Sequence, residues 1–114
     1  MTEKQLETHF KNWLTSHGIY KLGTPQNDMD KKSIGYWVKR WGGGQFMQAG
    51  LPDMQIVING DCIEVELKAE NGRLSQLQEQ KLNQINLSGG MGIVLSPRNY
   101  EDFKGWVIKT YELY

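Results

Sequence analysis

The run over residues 51–68, LPDMQIVINGDCIEVELK, constrains this chain most, because it sets Asn59-Gly60 between two β-prone segments. Asn and Gly tolerate the positive φ angles that both central residues of a tight hairpin turn demand, so a two-residue loop is predicted here. Residues 54–59 are rich in β-branched side chains, and residues 62–67 alternate polar with apolar. Successive strand side chains point to opposite faces. Ile63, Val65 and Leu67 are therefore expected on a core face, with Glu64, Glu66 and Lys68 on the other. If the turn is tight, Asp53 at the open end of the first strand lies opposite the end of the second that carries Glu66 and Lys68.

That juxtaposition suggests chemistry. Carboxylates from two strands can share a hard cation such as Mg²⁺, which usually keeps several waters. Such an ion polarises a phosphoryl oxygen, lowers the pKa of a bound water and orients the attack. Lys68 would reach the same site as a charge stabiliser or as a guide for the nucleophile. Each part alone also has a structural reading: an E-x-E-x-K strand is often a solvated face with cross-strand ion pairs, and Pro-Asp often starts a turn. Pro52-Asp53, the hairpin and Glu66-x-Lys68 occurring together, in order and in register, favour the metal site.

The rest of the composition bounds this reading. With 114 residues the chain is expected to be one domain over 1–114, with a core of its own. Hydrophobic residues make up 39% and charged residues 23%, an ordinary soluble balance. No apolar run approaches a membrane span and the N-terminus reads as a polar helix rather than a signal peptide, so no membrane partner and a cytoplasmic location, in a bacterium or a phage-infected host, are expected. Cys62 is the only cysteine, which excludes an internal disulfide and a Cys-rich zinc site. Thirteen basic and thirteen acidic residues give a formal net charge of zero, so any surface for DNA has to come from local clustering of Lys and Arg.

The first seventeen residues read as an amphipathic helix, with Thr2 as N-cap, an apolar stripe at Leu6, Phe10, Trp13 and Leu14, and Gly18 as the stop. Glu7 borders that stripe. Its carboxylate either points along the sheet toward the metal or makes an edge salt bridge with Lys11, and Glu3, one turn earlier, competes for the same role. Residues 19–50 are the least regular. Tyr36, Trp37, Lys39, Arg40 and Trp41 interleave aromatics with cations, which suits stacking on bases and neutralising phosphates. Trp37 and Trp41 fit a core or a dimer contact equally well. Gly50 marks either a close backbone approach to a ligand or a plain turn.

Beyond Lys68, Asn71-Gly72 is a turn, Ser75 an N-cap, and a helix is predicted to about residue 87, closed by Gly89-Gly90. Its inner face is predicted at Leu74, Leu77, Leu82 and Ile85, with Gln78 and Lys81 in the same arc. Ser75-x-x-Gln78 is a capping box, yet the glutamine amide could equally hold a water or a phosphate at the site. Residues 91–96 read as a buried strand, Asn99 as the cap of a short helix through residue 103, and residues 106–109 as a final edge strand. The order gives an α/β fold on a mixed sheet.

With GLPD, the hairpin, EVELK and NGRLSQLQ in view, the chain resembles the virus-type replication-repair nuclease domain of the PD-(D/E)xK superfamily, over about residues 3–103. The resemblance implies a restriction-endonuclease-like core, a mixed central β-sheet flanked by α-helices, and hydrolysis of DNA phosphodiester bonds with Mg²⁺ or Mn²⁺. It implies that Asp53 and Glu66 bind the metal, with the Leu67 carbonyl, and that Lys68 is the catalytic lysine. Gln78 matches the glutamine of the last motif, and Glu7 the acid of the first helix, orienting a water. Arg73 falls in the G-[RK]-L-S-x-x-Q motif and joins Trp37, Lys39 and Arg40 as a candidate DNA contact. Stand-alone members are similar to Holliday-junction resolvases, so branched or duplex DNA and a second copy of the chain are the expected partners. The sequence departs from the family just before Gly50-Leu51-Pro52-Asp53, where basic residues are usual and GGGQFMQAG stands, its cations lying earlier at Lys39 and Arg40. Two alternatives remain: a restriction-type nuclease, and a catalytically silent DNA-binding or dimerisation module.

Overall fold

A computed structural model describes residues 1–40 and 49–113; the readings of Trp41 and of Gly42-Gly43-Gly44 lie outside them. The elements run α1 (Glu3–Ser16), β1 (Ile19–Lys21), a 3-10 turn (Gln26–Asp28), β2 (Gly35–Lys39), β3 (Met54–Ile58), β4 (Asp61–Leu67), α2 (Gln76–Leu87), β5 (Met91–Leu95) and α3 (Tyr100–Tyr111). The strands form one five-stranded sheet in the order β1-β2-β3-β4-β5. Its outer pairs are parallel and its two inner pairs antiparallel, so the architecture is α/β with a mixed sheet flanked by helices.

The hairpin is the hub of that sheet. Asn59 and Gly60 take φ of 49° and 89°, and the ladder begins at Ile58 opposite Asp61, which makes the connection a two-residue turn with both φ positive. Met54, Ile56 and Ile58 then share a face with Ile63, Val65 and Leu67, and all are buried. Onto this face α1 lays Leu6, Phe10 and Leu14, each with no exposed surface, worth about 1.5–3 kcal/mol apiece in transfer terms. From α3 come Tyr100 and Val107, with Phe103 and Tyr111 packed against the same cluster. Thr2 caps α1 in a reciprocal box with Gln5.

The opposite face is mixed, with Val38, Val57 and Val94 beside Gln55, Glu64 and Glu66, and it carries α2. Leu82 is buried there, but Leu77 is 42% exposed, so the inner stripe predicted for this helix is only partly an inner stripe. The reason is where the helix sits: α2 packs on β5, with Leu82 against Gly92, while Leu77 in its first turn lies against the Gly50 backbone instead of over the sheet.

Four sequence expectations change. Residues 106–109 are not an edge strand, because α3 continues through them and puts Phe103, Val107 and Tyr111 on the core at spacings of four. Asn99 occupies the N-cap position of α3 without capping through its side chain, which instead accepts from Ser96 N and donates to the Val94 carbonyl. β5 is an edge strand with only Leu95 fully buried, and Ile19–Lys21, within the region read as irregular, forms β1.

Candidate active site

Strand register brings the first two acids together. Met54 pairs with Val65, so one step further Asp53 stands opposite Glu66 where β3 and β4 open. Asp53 Oδ2 accepts a hydrogen bond from the Leu67 backbone N–H at 2.8 Å, which locks the carboxylate against β4. Pro52-Asp53 is fixed twice by the residue that follows β2: Arg40 N donates to the Asp53 carbonyl at 2.7 Å and Arg40 Nη1 to the Pro52 carbonyl at 2.9 Å.

Glu66 is 2% exposed. Its Oε1 accepts from Gln78 Nε2 at 2.8 Å and lies 3.7 Å from Lys68 Nζ, while its Oε2 is buried with no hydrogen-bond partner among the described residues. Burial, followed by the negative charge of Asp53, pushes the Glu66 carboxyl up to about 8; Lys68 pulls against this, and the charge of Glu3 adds to it. Buried and facing the Asp53 charge, Glu66 thus holds its proton well above the usual carboxylate range.

Gln78 takes the capping role read from the sequence and also reaches Glu66. Its Oε1 accepts from Ser75 N at 2.9 Å, closing the capping box, and that bond fixes which end of the amide is nitrogen. The nitrogen is then aimed at Glu66. One side chain caps α2 and ties the helix to the acid.

On the α1 side, Glu7 is 9% exposed and holds two cations: Lys39 Nζ at 2.8 Å on Oε1 and Lys11 Nζ at 2.7 Å on Oε2. Burial disfavours its charge, but the hydrogen bonds and charges of Lys11 and Lys39 outweigh this and bring the carboxyl to about 2. Lys39 Nζ lies 3.9 Å from Asp53 Oδ1, so this second cluster meets the first at Asp53. The salt bridge to Lys11 foreseen for Glu7 is present, and the contact with Lys39 is one that sequence spacing did not indicate.

The candidate DNA contacts divide. Trp37 is 7% exposed and belongs to the core, with the Lys11 ammonium 5.3 Å from its ring centroid. Arg40 makes a two-pronged ion pair with Glu64, so its guanidinium builds the site rather than standing open. Lys39 faces Glu7 and Asp53, and Arg73 is exposed just before α2. Gly50, with φ of +80°, makes its close approach to α2: a Cβ there would stand 2.7 Å from Leu77 Cγ.

Among the described residues, no group of three or more His, Cys, Asp and Glu side chains is gathered as a metal cage. The donor set still fits a hard cation of the Mg²⁺ type, which takes one or two carboxylates and retains water. Asp53 Oδ1 and the unpartnered Glu66 Oε2 would supply those carboxylates, and the charge of such an ion would offset their repulsion. Comparison with family models, curated proteins and solved structures finds no match for this chain.

Proposed function

We propose that this chain is a metal-dependent DNA endonuclease with a restriction-endonuclease-like core, acting as a homodimer on branched or duplex DNA. The observation that carries the reading is the Asp53–Glu66 pair across the open end of the hairpin, with a buried, unpartnered oxygen on Glu66 and the Lys68 ammonium beside it. A purely structural acid pair would be a liability, since it raises the cost of charging Glu66 and satisfies one oxygen too few.

In this reading Asp53 and Glu66 hold Mg²⁺ or Mn²⁺, with the Leu67 carbonyl as a further donor. Such an ion, when bound, polarises a phosphoryl oxygen and makes water more acidic. Gln78 fixes the Glu66 rotamer from α2, and Leu67 N–H fixes that of Asp53. Lys68 orients the attacking water and balances charge gathering on the phosphate as a backbone P–O bond is hydrolysed. Arg73, exposed before α2, and Lys39, beside Asp53, would be the cations offered to the strand.

The test is cleavage of labelled four-way junctions, flaps, nicked duplex and plain duplex by the purified chain with Mg²⁺, Mn²⁺ or EDTA. Cutting with either metal is expected, none with EDTA, and a loss of at least about a hundredfold in Asp53→Ala and Lys68→Ala. DNA binding without cutting under all conditions, unchanged in both variants, would establish the silent module instead. Sedimentation at micromolar concentration should give twice the 13.1 kDa chain mass, and a mass of one chain contradicts the dimer.

A further inference from the structure

We infer that Glu7 is a positioning residue that anchors Lys39 and holds it back from Asp53, keeping Asp53 Oδ1 available to a divalent cation; this rests on the metal-dependent reading above. The two oxygens of Asp53 are not equivalent. Oδ2 is engaged by the Leu67 N–H at 2.8 Å, which leaves Oδ1 as the oxygen a cation would meet. The nearest competitor for Oδ1 is the Lys39 ammonium, 3.9 Å away, beyond hydrogen-bond range.

What keeps it there is Glu7. Lys39 extends from β2 on the α1 side of the sheet, shared with Trp37, and meets Glu7 Oε1 at 2.8 Å. The side chains are 15% and 11% exposed, so solvent weakens this pair less than an open surface pair. Glu7 is itself held from its own helix: Lys11 takes Oε2 at 2.7 Å, and Lys11 lies against the Trp37 ring. With a lysine on each oxygen, Glu7 has no oxygen to give an ion without releasing one of them. Its effect on the site therefore runs through Lys39.

Removing the charge of Glu7 leaves Asp53 Oδ1 as the nearest anion to Lys39. The ammonium would close on it, and a divalent ion would then have to displace a lysine. The experiment is Mn²⁺ binding by titration calorimetry on the full chain without DNA, with circular dichroism melts to confirm folding. Glu7→Gln should weaken Mn²⁺ binding by about tenfold, the scale of losses from groups that orient metal ligands. Adding Lys39→Met to Glu7→Gln should return the affinity to near the parent value, because the competitor is gone.

If the double variant stays as weak as Glu7→Gln, Glu7 acts on the ion directly and the inference is overturned. Should Glu7→Gln fail to fold, Lys39→Met alone decides: affinity equal to or above the parent supports the anchor, and weaker binding overturns it. A parent chain that binds no Mn²⁺ refutes the metal-dependent reading itself, and with it this inference; that outcome is visible before any variant is made.

Discussion

Glu66 and Glu7 are the two most buried acids here, and their surroundings drive them in opposite directions. Burial and Asp53 push the Glu66 carboxyl up to about 8, whereas Lys11 and Lys39 overcome burial and bring Glu7 to about 2. Linkage turns this into a pH profile for the metal-free protein. Glu7 binds its proton less tightly in the folded chain, so its contribution is complete above about pH 4.5 and is lost as pH falls toward 2. Glu66 binds its proton more tightly when folded, so its contribution is present below about pH 4.5 and is lost as pH rises through 8. Stability should therefore peak near pH 4.5–5 and fall by a few kcal/mol toward pH 8.5, measured as urea midpoints at fixed ionic strength in EDTA. In Glu66→Gln the alkaline fall should disappear; a profile unchanged by this substitution contradicts the assignment to Glu66. Strand alternation alone was enough to bring Asp53, Glu66 and Lys68 to one end of the hairpin. The Arg40–Glu64 fork and the Lys39–Glu7 pair were not legible, because each joins residues whose proximity depends on how β2 and α1 meet the hairpin. Glu64 thus has a structural partner in Arg40.

At the scale of elements, the α1 and α2 caps, the hairpin turn and the apolar faces of α1 and the hairpin were legible, whereas the apolar run at residues 106–109 misled. The Thr2 and Ser75 caps and the Asn59-Gly60 turn appear where the sequence put them, since each satisfies a backbone requirement that tertiary context does not change. Trp106-Val107-Ile108 reads as strand by propensity, yet packing of Phe103, Val107 and Tyr111 on the α1 side draws it into α3. β1 escaped notice because three residues are too few for a pattern. Gly50 shows how one element positions another: its left-handed backbone and missing Cβ let the strand carrying Asp53 pass against the first turn of α2, which carries Gln78. Gly50→Ala combines a left-handed alanine with a contact on Leu77, and should cost about 1–2 kcal/mol in urea unfolding. Gly50→Ala with Leu77→Ala should unfold less readily than the sum of the two single changes predicts. Strict additivity would show that the two residues do not meet.

Across the whole molecule, the sheet divides the work. One face, under α1 and α3, is the hydrophobic core; the other mixes polar and apolar side chains and carries α2, and the candidate site lies at the end of the hairpin where both faces are in reach. The outer edge of β5 is partly sealed, because Asn86 takes both the N–H and the C=O of Gly92 and Asn99 takes the Val94 carbonyl. A dimer is then expected to avoid pairing through that edge, since it would have to break these bonds first. No helix among the described residues is long and apolar enough to cross a membrane. With a net charge of zero, the proposed binding of DNA would depend on local cations and on neutralising the acid pair. The central claim is that Asp53 and Glu66 hold a divalent ion. The most direct measurement is an anomalous difference map from a crystal of the full chain soaked in Mn²⁺. The account predicts a peak between Asp53 Oδ1 and Glu66 that is absent in Asp53→Ala; a soaked crystal with no peak there, in a form that cuts DNA, would contradict it.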